Sequence, residues 1–306
     1  MSGPELTPDE FGQIAELFRP LTRGAPEALS LLDDVAVIPS RPGWDLVMTK
    51  DAMVAGVHFR ADEVPGLIAQ KLMRANLSDL AAKGAEPFGY FLMTGWSPDF
   101  DWPKRKAFAK GLELDGVQFD VSLLGGDTVS TPGPLTVSMT ALGWVPAGGT
   151  VRRDSASVGD LIVVSGTIGD GWLDWGLGQG PRLPVPRLDL RDDLRRFASA
   201  AADISDGLIA DAGRIALASG LGFRLDLEKM PVSQKAQDWI ATQSEPALAS
   251  LRLATAGDDY ELVCAVRPEH VDEFGLTVVG EVLDRGREIV FGTEVLEVGP
   301  GGWVHS

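Results

Sequence analysis

Asn76-Leu77-Ser78-Asp79 lies inside a helical pattern in the first half of the chain, and Asp203-Ile204-Ser205-Asp206 has a similar form in the second half. Both halves contain a strand-like run, a glycine turn and an acidic helix start. Pro146-Ala147-Gly148-Gly149, between them, has the composition of a linker. The sequence therefore predicts an α/β (α+β) protein with two mixed domains of related design, residues 1–147 and 148–306.

Helices are predicted where apolar residues recur at helical spacing. Thr7-Pro8-Asp9-Glu10 has the form of a capping box with proline at the first helical position, and it predicts an amphipathic helix over residues 8–19. The helix of the first motif ends near Gly84, because glycine commonly ends helices. The helix of the second motif begins with Ser205 or Asp206 as its cap.

Strands are predicted from apolar runs and from alternation of apolar and polar residues. The predicted strands are Leu46 to Val54, Leu135 to Gly143 and Leu161 to Val164. Residues 181–187, Pro-Arg-Leu-Pro-Val-Pro-Arg, predict an ordered loop, because proline lacks the amide hydrogen that regular structure needs.

Bulk composition narrows the class of protein. A hydrophobic content of 44% over 306 residues is typical of a globular chain. The net charge of −17 argues against nucleic acid and anionic membranes as partners. The single cysteine, Cys264, excludes an internal disulfide and a cysteine-ligated zinc cluster. The chain shows no signal segment and no apolar run of the roughly 18 residues that a membrane span needs, so a cytoplasmic protein is expected.

Aspartates recur where apolar runs meet turns. Two like charges about 4 Å apart repel by roughly 4 kcal/mol at an effective dielectric near 20, so a fold that gathers several needs counter-charge. Hard divalent cations with oxygen ligands supply it, and Mg²⁺ also favours substrate phosphates. A single such cluster is usually only a helix cap, and a high negative charge also serves solubility. The recurrence of the clusters favours metal binding.

Three other features are weaker. Gly166 to Gly171 follows a strand, where backbone amides could cradle a phosphate. It matches neither a Walker A loop nor Gly-x-Gly-x-x-Gly, and a structural turn explains it at least as well. Arg152-Arg153 could pair with ATP phosphates or could be ordinary surface residues. His58 alone supports neither a zinc hydrolase nor a serine hydrolase.

The order of these clusters along nearly the whole chain resembles the thiamine-monophosphate kinases, in the ATP-binding superfamily that also contains aminoimidazole ribonucleotide synthetase. The matching segments are Asp33 to Val37, Thr49 to Asp51, Gly56 to Phe59, Asn76 to Ala82, Gly125 to Thr128, Asp203 to Leu208, Gly257 to Leu262 and the proline-arginine loop Leu183 to Arg187.

The resemblance implies a fold of two mixed α/β domains of the aminoimidazole ribonucleotide synthetase-like type. The N-terminal domain would bind ATP and Mg²⁺ and pair into a homodimer, and the C-terminal domain would complete the active site. The implied reaction moves the γ-phosphoryl group of ATP onto the phosphate of thiamine monophosphate, in thiamine diphosphate biosynthesis. It needs several Mg²⁺ ions and no protein nucleophile.

The resemblance also implies roles for individual positions. Metal ligands are expected at Asp34, Thr49, Lys50 through its carbonyl, Asp51, Asp79, Asp127, Asp203 and Asp206. ATP contacts are expected at Gly126, Asp127, Arg153 and Ser205. Substrate contacts are expected at His58, Asp258 and Trp303, the last with its ring against the cationic thiazolium. Asp33 and Asp259 receive no role.

Several positions depart from the family pattern. Leu32 stands where glycine is usual, so that loop needs a different backbone or some strain. Lys50 replaces a small hydroxyl residue, and its ammonium could displace a cation or bind phosphate. Asp258 replaces glutamate and shortens the reach to substrate. Gly171-Trp172 replaces small residues, and the chain ends without the usual final aromatic.

Two other functions stay open at this level. One is another ATP-dependent synthetase of the same superfamily, acting on a ribonucleotide. The other is a non-catalytic nucleotide-binding relative, which the departures favour and the intact aspartates oppose.

Overall fold

Two separate β-sheets organise the chain. The fold is that of a computed structural model, which describes residues 7–176, 183–299 and 301–302. Contacts divide the chain into an N-terminal unit, Met1–Leu80 with Ala85–Gly148, and a C-terminal unit, Ala81–Gly84 with Gly149–Ser306. Both contain helices and strands, so the predicted mixed α/β class is confirmed.

The N-terminal unit is built on a four-stranded sheet with the order β1-β4-β2-β3. Its strands are β1 (Trp44–Val54), β2 (Glu86–Trp96), β3 (Ser122–Ser130) and β4 (Thr136–Pro146), and its long helices are α2 (Pro65–Ala82) and α3 (Trp102–Gln118). β2 and β3 are parallel because α3 connects them, and the other pairs are antiparallel. The helix that ends before Gly84 and the two strands predicted in this half are therefore confirmed.

The predicted amphipathic helix over residues 8–19 is wrong in detail. Asp9, not Thr7, is the N-cap, and its Oδ1 accepts the amide hydrogen of Gly12 at 2.8 Å. Helix α1 spans only Glu10–Gln13, and the chain continues as a π-helix over Ile14–Phe18 and a 3₁₀-helix over Arg19–Thr22. Phe11, before the π-helix, is 78% exposed, and the wider π turn ends with Leu17 and Phe18 both buried.

The C-terminal unit contains a seven-stranded sheet with the order β11-β10-β7-β9-β5-β8-β6. Its strands are β5 (Leu161–Val164), β6 (Ala198–Asp203), β7 (Gly222–Asp226), β8 (Leu262–Val266), β9 (Thr277–Leu283), β10 (Arg287–Phe291) and β11 (Glu294–Val295). Its α-helices are α4 (Asp170–Gly176), α5 (Arg191–Phe197), α6 (Leu208–Ala218), α7 (Gln234–Ala241), α8 (Pro246–Ala254) and α9 (Val271–Phe274). The predicted strand Leu161 to Val164 is confirmed, and 183–187 have no regular structure, as predicted.

Apolar layers cover both faces of this sheet. Ile162 and Val164 belong to one layer and Val163 and Cys264 to the other, as expected for alternating side chains in buried strands. Within the described residues, no helix has both the length and the apolar character needed to cross a membrane.

A four-residue piece of the first half belongs to the C-terminal unit. Ala82 lies in its apolar layer with Val151, and the amide of Val151 donates to the carbonyl of Lys83 at 3.3 Å. The ammonium of Lys83 donates to the carbonyl of Ala201 at 2.6 Å. Residues 81–84 therefore complete a unit whose other residues begin at Gly149.

Candidate active site

A cavity of about 340 Å³ opens in the N-terminal unit. One side is apolar, with side chains from the π-helix and from β2 and β3, and another carries carboxylates and a glycine turn. Its lining includes Ile14, Phe18, Leu31, Asp33, Asp34, Val35, Phe91, Leu92, Leu123 and Gly125 to Thr128. This combination of apolar walls and a few polar groups is typical of small-molecule sites.

The glycine turn lies on β3, where two backbones come very close. A Cβ atom on Gly126 would lie 1.9 Å from the carbonyl oxygen of Leu92, so only glycine fits. Asp127 follows it with an exposed side chain, and Thr94 donates to the hydroxyl of Thr128 at 2.9 Å. Both predicted ATP contacts of this unit, Gly126 and Asp127, thus line the cavity.

Asp33 and Asp34 line the same cavity from an irregular loop. Leu32, where the family usually has glycine, takes an ordinary φ of −111°. The three residues before it are left-handed instead, with φ values of 46° at Leu29, 59° at Ser30 and 53° at Leu31. The strain expected at Leu32 is therefore displaced to Leu29–Leu31, where each left-handed residue costs about 1–2 kcal/mol.

A second acidic group joins β1 to α2. The hydroxyl of Thr49 donates to Oδ2 of Asp79 at 2.5 Å. The amide of Asp51 donates to Oδ1 of Asn76 at 3.2 Å, and the side chain of Asn76 donates to the carbonyl of Leu72 at 2.8 Å. Asn76 is fully buried, so it fixes the position of Asp51 relative to the helix that carries Asp79. Asn76 is the first residue of the sequence motif that contains Asp79, but no role was predicted for it from the sequence.

The side chain of Lys50 lies on the other face of β1 from Thr49 and Asp51, because successive strand residues point to opposite faces. Its ammonium donates to the hydroxyl of Ser138 at 2.7 Å, and Ser138 donates to the carbonyl of Asp51 at 2.8 Å. The ammonium therefore lies away from the side chains of Thr49 and Asp51, and the expectation that it displaces a cation or binds phosphate stays a prediction. A ligand role for the Lys50 carbonyl stays a prediction.

His58 is fixed by its own turn. Its Nδ1 accepts the amide hydrogen of Val54 at 3.1 Å, and the ammonium of Lys71 donates to its carbonyl at 3.0 Å. Because Nδ1 is an acceptor here, the proton of the neutral imidazole is assigned to Nε2.

The acidic groups offer oxygen donors of the kind that a divalent cation prefers. Among the residues that the structure describes, no three His, Cys, Asp or Glu side chains form a ready-made metal cluster. The donors that do come together are oxygens, such as those of Thr49 and Asp79. Mg²⁺ usually binds one or two carboxylates plus substrate phosphates and water, so a sparse set of oxygen donors fits this ion.

In the C-terminal unit, hydrogen bonds join three loops: the loop after β6, the loop before β8 and the loop after β5. Ile204 and Ser205 accept amide hydrogens from Tyr260 at 2.8 Å and from Asp258 at 2.9 Å, through their carbonyls. Asp203 ends β6 and is buried. Asp258 and Tyr260 are left-handed, with φ values of 65° and 54°. Non-glycine residues rarely adopt this conformation, and its occurrence here is typical of a functional loop.

Asp259, in the loop before β8, joins that loop to the loop after β5. It is buried, and its carboxylate accepts the amide hydrogens of Gly169 at 2.9 Å and Gly171 at 3.2 Å. Those two amides are therefore not available to cradle a phosphate, which favours the structural-turn explanation of this stretch. Sequence reasoning left Asp259 without a role, since its partners lie 90 residues away.

The helix start at residues 205–208 is capped differently from the prediction. Gly207 is the N-cap and neither Ser205 nor Asp206 caps the helix. Oδ2 of Asp211 instead accepts the amide hydrogens of Ser205 at 3.1 Å, Asp206 at 3.0 Å and Gly207 at 3.2 Å. Burial raises the pKa of Asp211 to about 6, against the opposing effect of Arg214. The sequence feature that could have identified Asp211 is a carboxylate among the buried apolar residues of a helix.

Arg152 and Arg153 differ in their surroundings. The guanidinium of Arg152 bonds both carboxylate oxygens of Asp154, which lowers the pKa of Asp154 to about 2. Nε of Arg153 is buried and meets no hydrogen-bond partner in the described part of the chain. The two side chains therefore differ in that Nε of Arg152 is paired with a carboxylate and Nε of Arg153 is not.

The proline-arginine loop is tied to the same region. Nε of Arg187 donates to Oε2 of Glu261 at 2.7 Å, and the hydroxyl of Ser165 donates to the same oxygen at 2.6 Å. Trp303 lies outside the described residues. Gly302 is described, and a Cβ atom there would lie 2.6 Å from the carbonyl oxygen of Asp206.

Comparison with known proteins identifies the family. The N-terminal domain model of the AIR synthase related proteins matches residues 32–145, and the C-terminal domain model matches residues 181–292. Thiamine-monophosphate kinase of Caulobacter vibrioides is 57% identical over 279 residues, which cover 87% of this chain and 79% of that protein. The chain belongs to the thiamine-monophosphate kinase family.

Solved structures of thiamine-monophosphate kinases have the same fold. The enzyme of Stenotrophomonas maltophilia K279a superposes with a TM-score of 0.79 at 32% identity, over 94% of this chain and 98% of that one. AaThiL, complexed with AMPPCP and TMP, superposes with a TM-score of 0.77 at 25% identity over the full length of both chains. The predicted family and fold are confirmed.

Proposed function

We propose that this chain is a thiamine-monophosphate kinase, which transfers the γ-phosphoryl group of ATP to the phosphate of thiamine monophosphate. The observation that carries the proposal is the 57% identity with the Caulobacter vibrioides enzyme over most of both chains. The AaThiL complex with AMPPCP and TMP supports the pair of substrates.

In the proposed reaction, an oxygen of the acceptor phosphate forms a bond to the γ-phosphorus while the bond from that phosphorus to the β–γ bridging oxygen breaks. The products are thiamine diphosphate and ADP. The acceptor is already ionised near neutral pH, so the chain needs no strong general base. Catalysis then depends on holding two anionic groups in line and offsetting their charge.

The N-terminal unit supplies the proposed nucleotide site. The apolar wall of the cavity suits a flat heterocycle, and Gly126 allows β3 to lie close to β2 beside it. The proposed metal ligands of this unit lie in two places. Asp34 and Asp127 line the cavity, and Thr49, the carbonyl of Lys50, Asp51 and Asp79 lie at the β1–α2 junction.

Bound Mg²⁺ ions would offset the charge of the phosphates and orient them. Asn76 would hold Asp51 in place, since one side chain joins the Asp51 amide to α2. In the C-terminal unit, Asp203 and Asp206 are further proposed metal ligands, and Ser205 and Arg153 are the proposed ATP contacts. The buried Nε of Arg153, without a partner among the described residues, supports that role.

The proposed substrate contacts are His58, Asp258 and Trp303. Asp258 lies in a left-handed turn that the surrounding loops impose, which supports a positioned side chain there. The chain at Gly302 leaves no room for a side chain beside the Asp206 carbonyl, so the residue before Trp303 lies close to a proposed metal ligand.

A cytoplasmic homodimer is part of the proposal, with the N-terminal units paired. β1 is an edge strand, and Leu46 and Met48 point from its exposed face, with Met48 64% exposed. An apolar edge strand of this kind supports pairing with a second copy.

The alternatives are less well supported. Relatives over most of the chain are thiamine-monophosphate kinases, whereas the solved hydrogenase maturation protein HypE, at 19% identity, shares the fold alone. The acidic residues of the motifs are all present, which argues against a non-catalytic relative.

The test is formation of thiamine diphosphate from ATP, Mg²⁺ and thiamine monophosphate, with free thiamine and a ribonucleotide acceptor as controls. Asp51→Asn is expected to lower the rate by orders of magnitude with the thermal midpoint preserved, and Asp45→Asn, on the same strand, is the control. Turnover of the ribonucleotide alone would overturn the proposal, as would ATP binding without any phosphoryl transfer.

A further inference from the structure

The turn that carries Ser205 and Asp206 is held by one fully buried carboxylate. Three consecutive amides donate to Oδ2 of Asp211, so this single oxygen fixes the backbone from which both side chains project. Nothing in the family resemblance assigned a role to Asp211 or to its partner, Arg214.

Arg214 extends this anchor to the side chain of Asp206. Its Nη1 donates to Oδ1 of Asp211 and its Nη2 donates to Oδ2 of Asp206. Because guanidinium is a rigid planar fork, the two carboxylates take a fixed mutual orientation. Oδ1 of Asp206 receives no hydrogen bond from the described residues, and the Asp206 side chain is 19% exposed.

We propose that Asp211 and Arg214 are positioning residues that orient Oδ1 of Asp206 for binding a Mg²⁺ ion. The proposal rests on the proposed function, since it takes Asp206 as a metal ligand. Partners that orient a ligand in this way commonly change metal affinity by about 10- to 100-fold when they are altered. If Asp211 and Arg214 only stabilised the start of α6, altering them would affect folding without changing the magnesium requirement.

Arg214→Lys is the variant that separates these roles. Lysine keeps a positive charge beside the buried Asp211 but lacks the fork that bridges both carboxylates. Arg224→Lys is the matched control, because Arg214 and Arg224 each pair with two carboxylates and their side chains are both 40% exposed.

We expect Arg214→Lys to raise the Mg²⁺ concentration for half-maximal rate by about tenfold, with the KM for thiamine monophosphate unchanged. Calorimetry should show weaker ATP binding at limiting Mg²⁺, and Arg224→Lys should match the wild type in both measurements. Combined with Asp206→Asn, Arg214→Lys should cause no further change in the Mg²⁺ requirement, because the group that it orients is already altered.

The inference is overturned if Arg214→Lys leaves the Mg²⁺ requirement at the wild-type value, or if its effect persists in the Asp206→Asn background. If Arg214→Lys fails to fold, Asp206→Glu, which keeps the carboxylate but moves it out of register with the fork, must raise the Mg²⁺ requirement. Wild-type protein that binds Mg-ATP without making thiamine diphosphate overturns the proposed function, while the calorimetric comparison still decides the positioning role.

Discussion

Both carboxylate oxygens of Asp259 accept the amide hydrogen of Gly169, at 2.9 Å each. This bond joins the loop after β5 to the loop before β8, which carries the proposed substrate contact Asp258. A residue that sequence reasoning left without a role thus holds two site loops together.

Asp259→Asn should destabilise the protein. The amide side chain keeps one acceptor oxygen and places an NH₂ group toward backbone donors, which leaves buried polar groups unsatisfied at a cost of about 1–3 kcal/mol. Urea unfolding measures the change. Asp284→Asn, at a 72% exposed side chain, is the control, and its stability should stay near the wild-type value. Equal effects in the two variants would contradict this account of Asp259.

Gly171→Ala should impair substrate binding. A Cβ atom there would lie 2.1 Å from the carbonyl oxygen of Asp258, so the loop that carries Asp258 must move. We expect the KM for thiamine monophosphate to rise about tenfold or more, since a displacement near 1 Å can cost a hundredfold in rate. Gly299→Ala meets no atom within 4 Å and should leave the KM unchanged. An unchanged KM in Gly171→Ala would argue against the substrate role of Asp258.

Asp115→Asn should strongly destabilise the N-terminal unit. The fully buried carboxylate of Asp115 accepts hydrogen bonds from Nε of Arg74 at 2.7 Å and from Gln70 at 2.8 Å, and joins α3 to α2. Altering one partner of a buried ion pair costs about 3–5 kcal/mol. Glu113→Gln disrupts the exposed pair with Lys110 on the same helix, and should cost less than about 1 kcal/mol. Denaturant unfolding compares them, and similar losses would contradict the prediction.

The Cys264 thiol should resist alkylation in the native protein. Burial raises the pKa of Cys264 to about 12, and the thiolate is the reactive form. Iodoacetamide at pH 8 should label the thiol only after denaturant is added, which mass spectrometry detects. Rapid stoichiometric labelling without denaturant would show that the strand is accessible.

The strands and the long helices could be predicted from the sequence because each has a clear period. The prediction of β5 agrees with the structure because its apolar run is short and bounded by turns. Residues 8–19 failed because apolar spacing alone does not distinguish an α-helix from a π-helix, and Asp9 competed with Thr7 for the cap.

The site could be predicted only as far as local motifs reach. Asp79 and Thr49 were both named, but the bond between them joins residues 30 positions apart. Asp211 lies only a few residues from Ser205 and could have been found as a carboxylate among buried apolar side chains. Asp259 could not, because its contacts depend on how two distant loops fold together.

The short piece Ala81–Gly84 makes the two halves of this protein inseparable as modules. A gene fragment that begins at Gly149 would lack Ala82 from one apolar layer and Lys83, which bonds both Val151 and Ala201. A chimera that exchanges C-terminal halves between relatives must therefore carry residues 81–84 with it. Residues of α2 up to Leu80 must therefore fit the N-terminal unit, whereas Ala81 and Ala82 must fit the C-terminal unit.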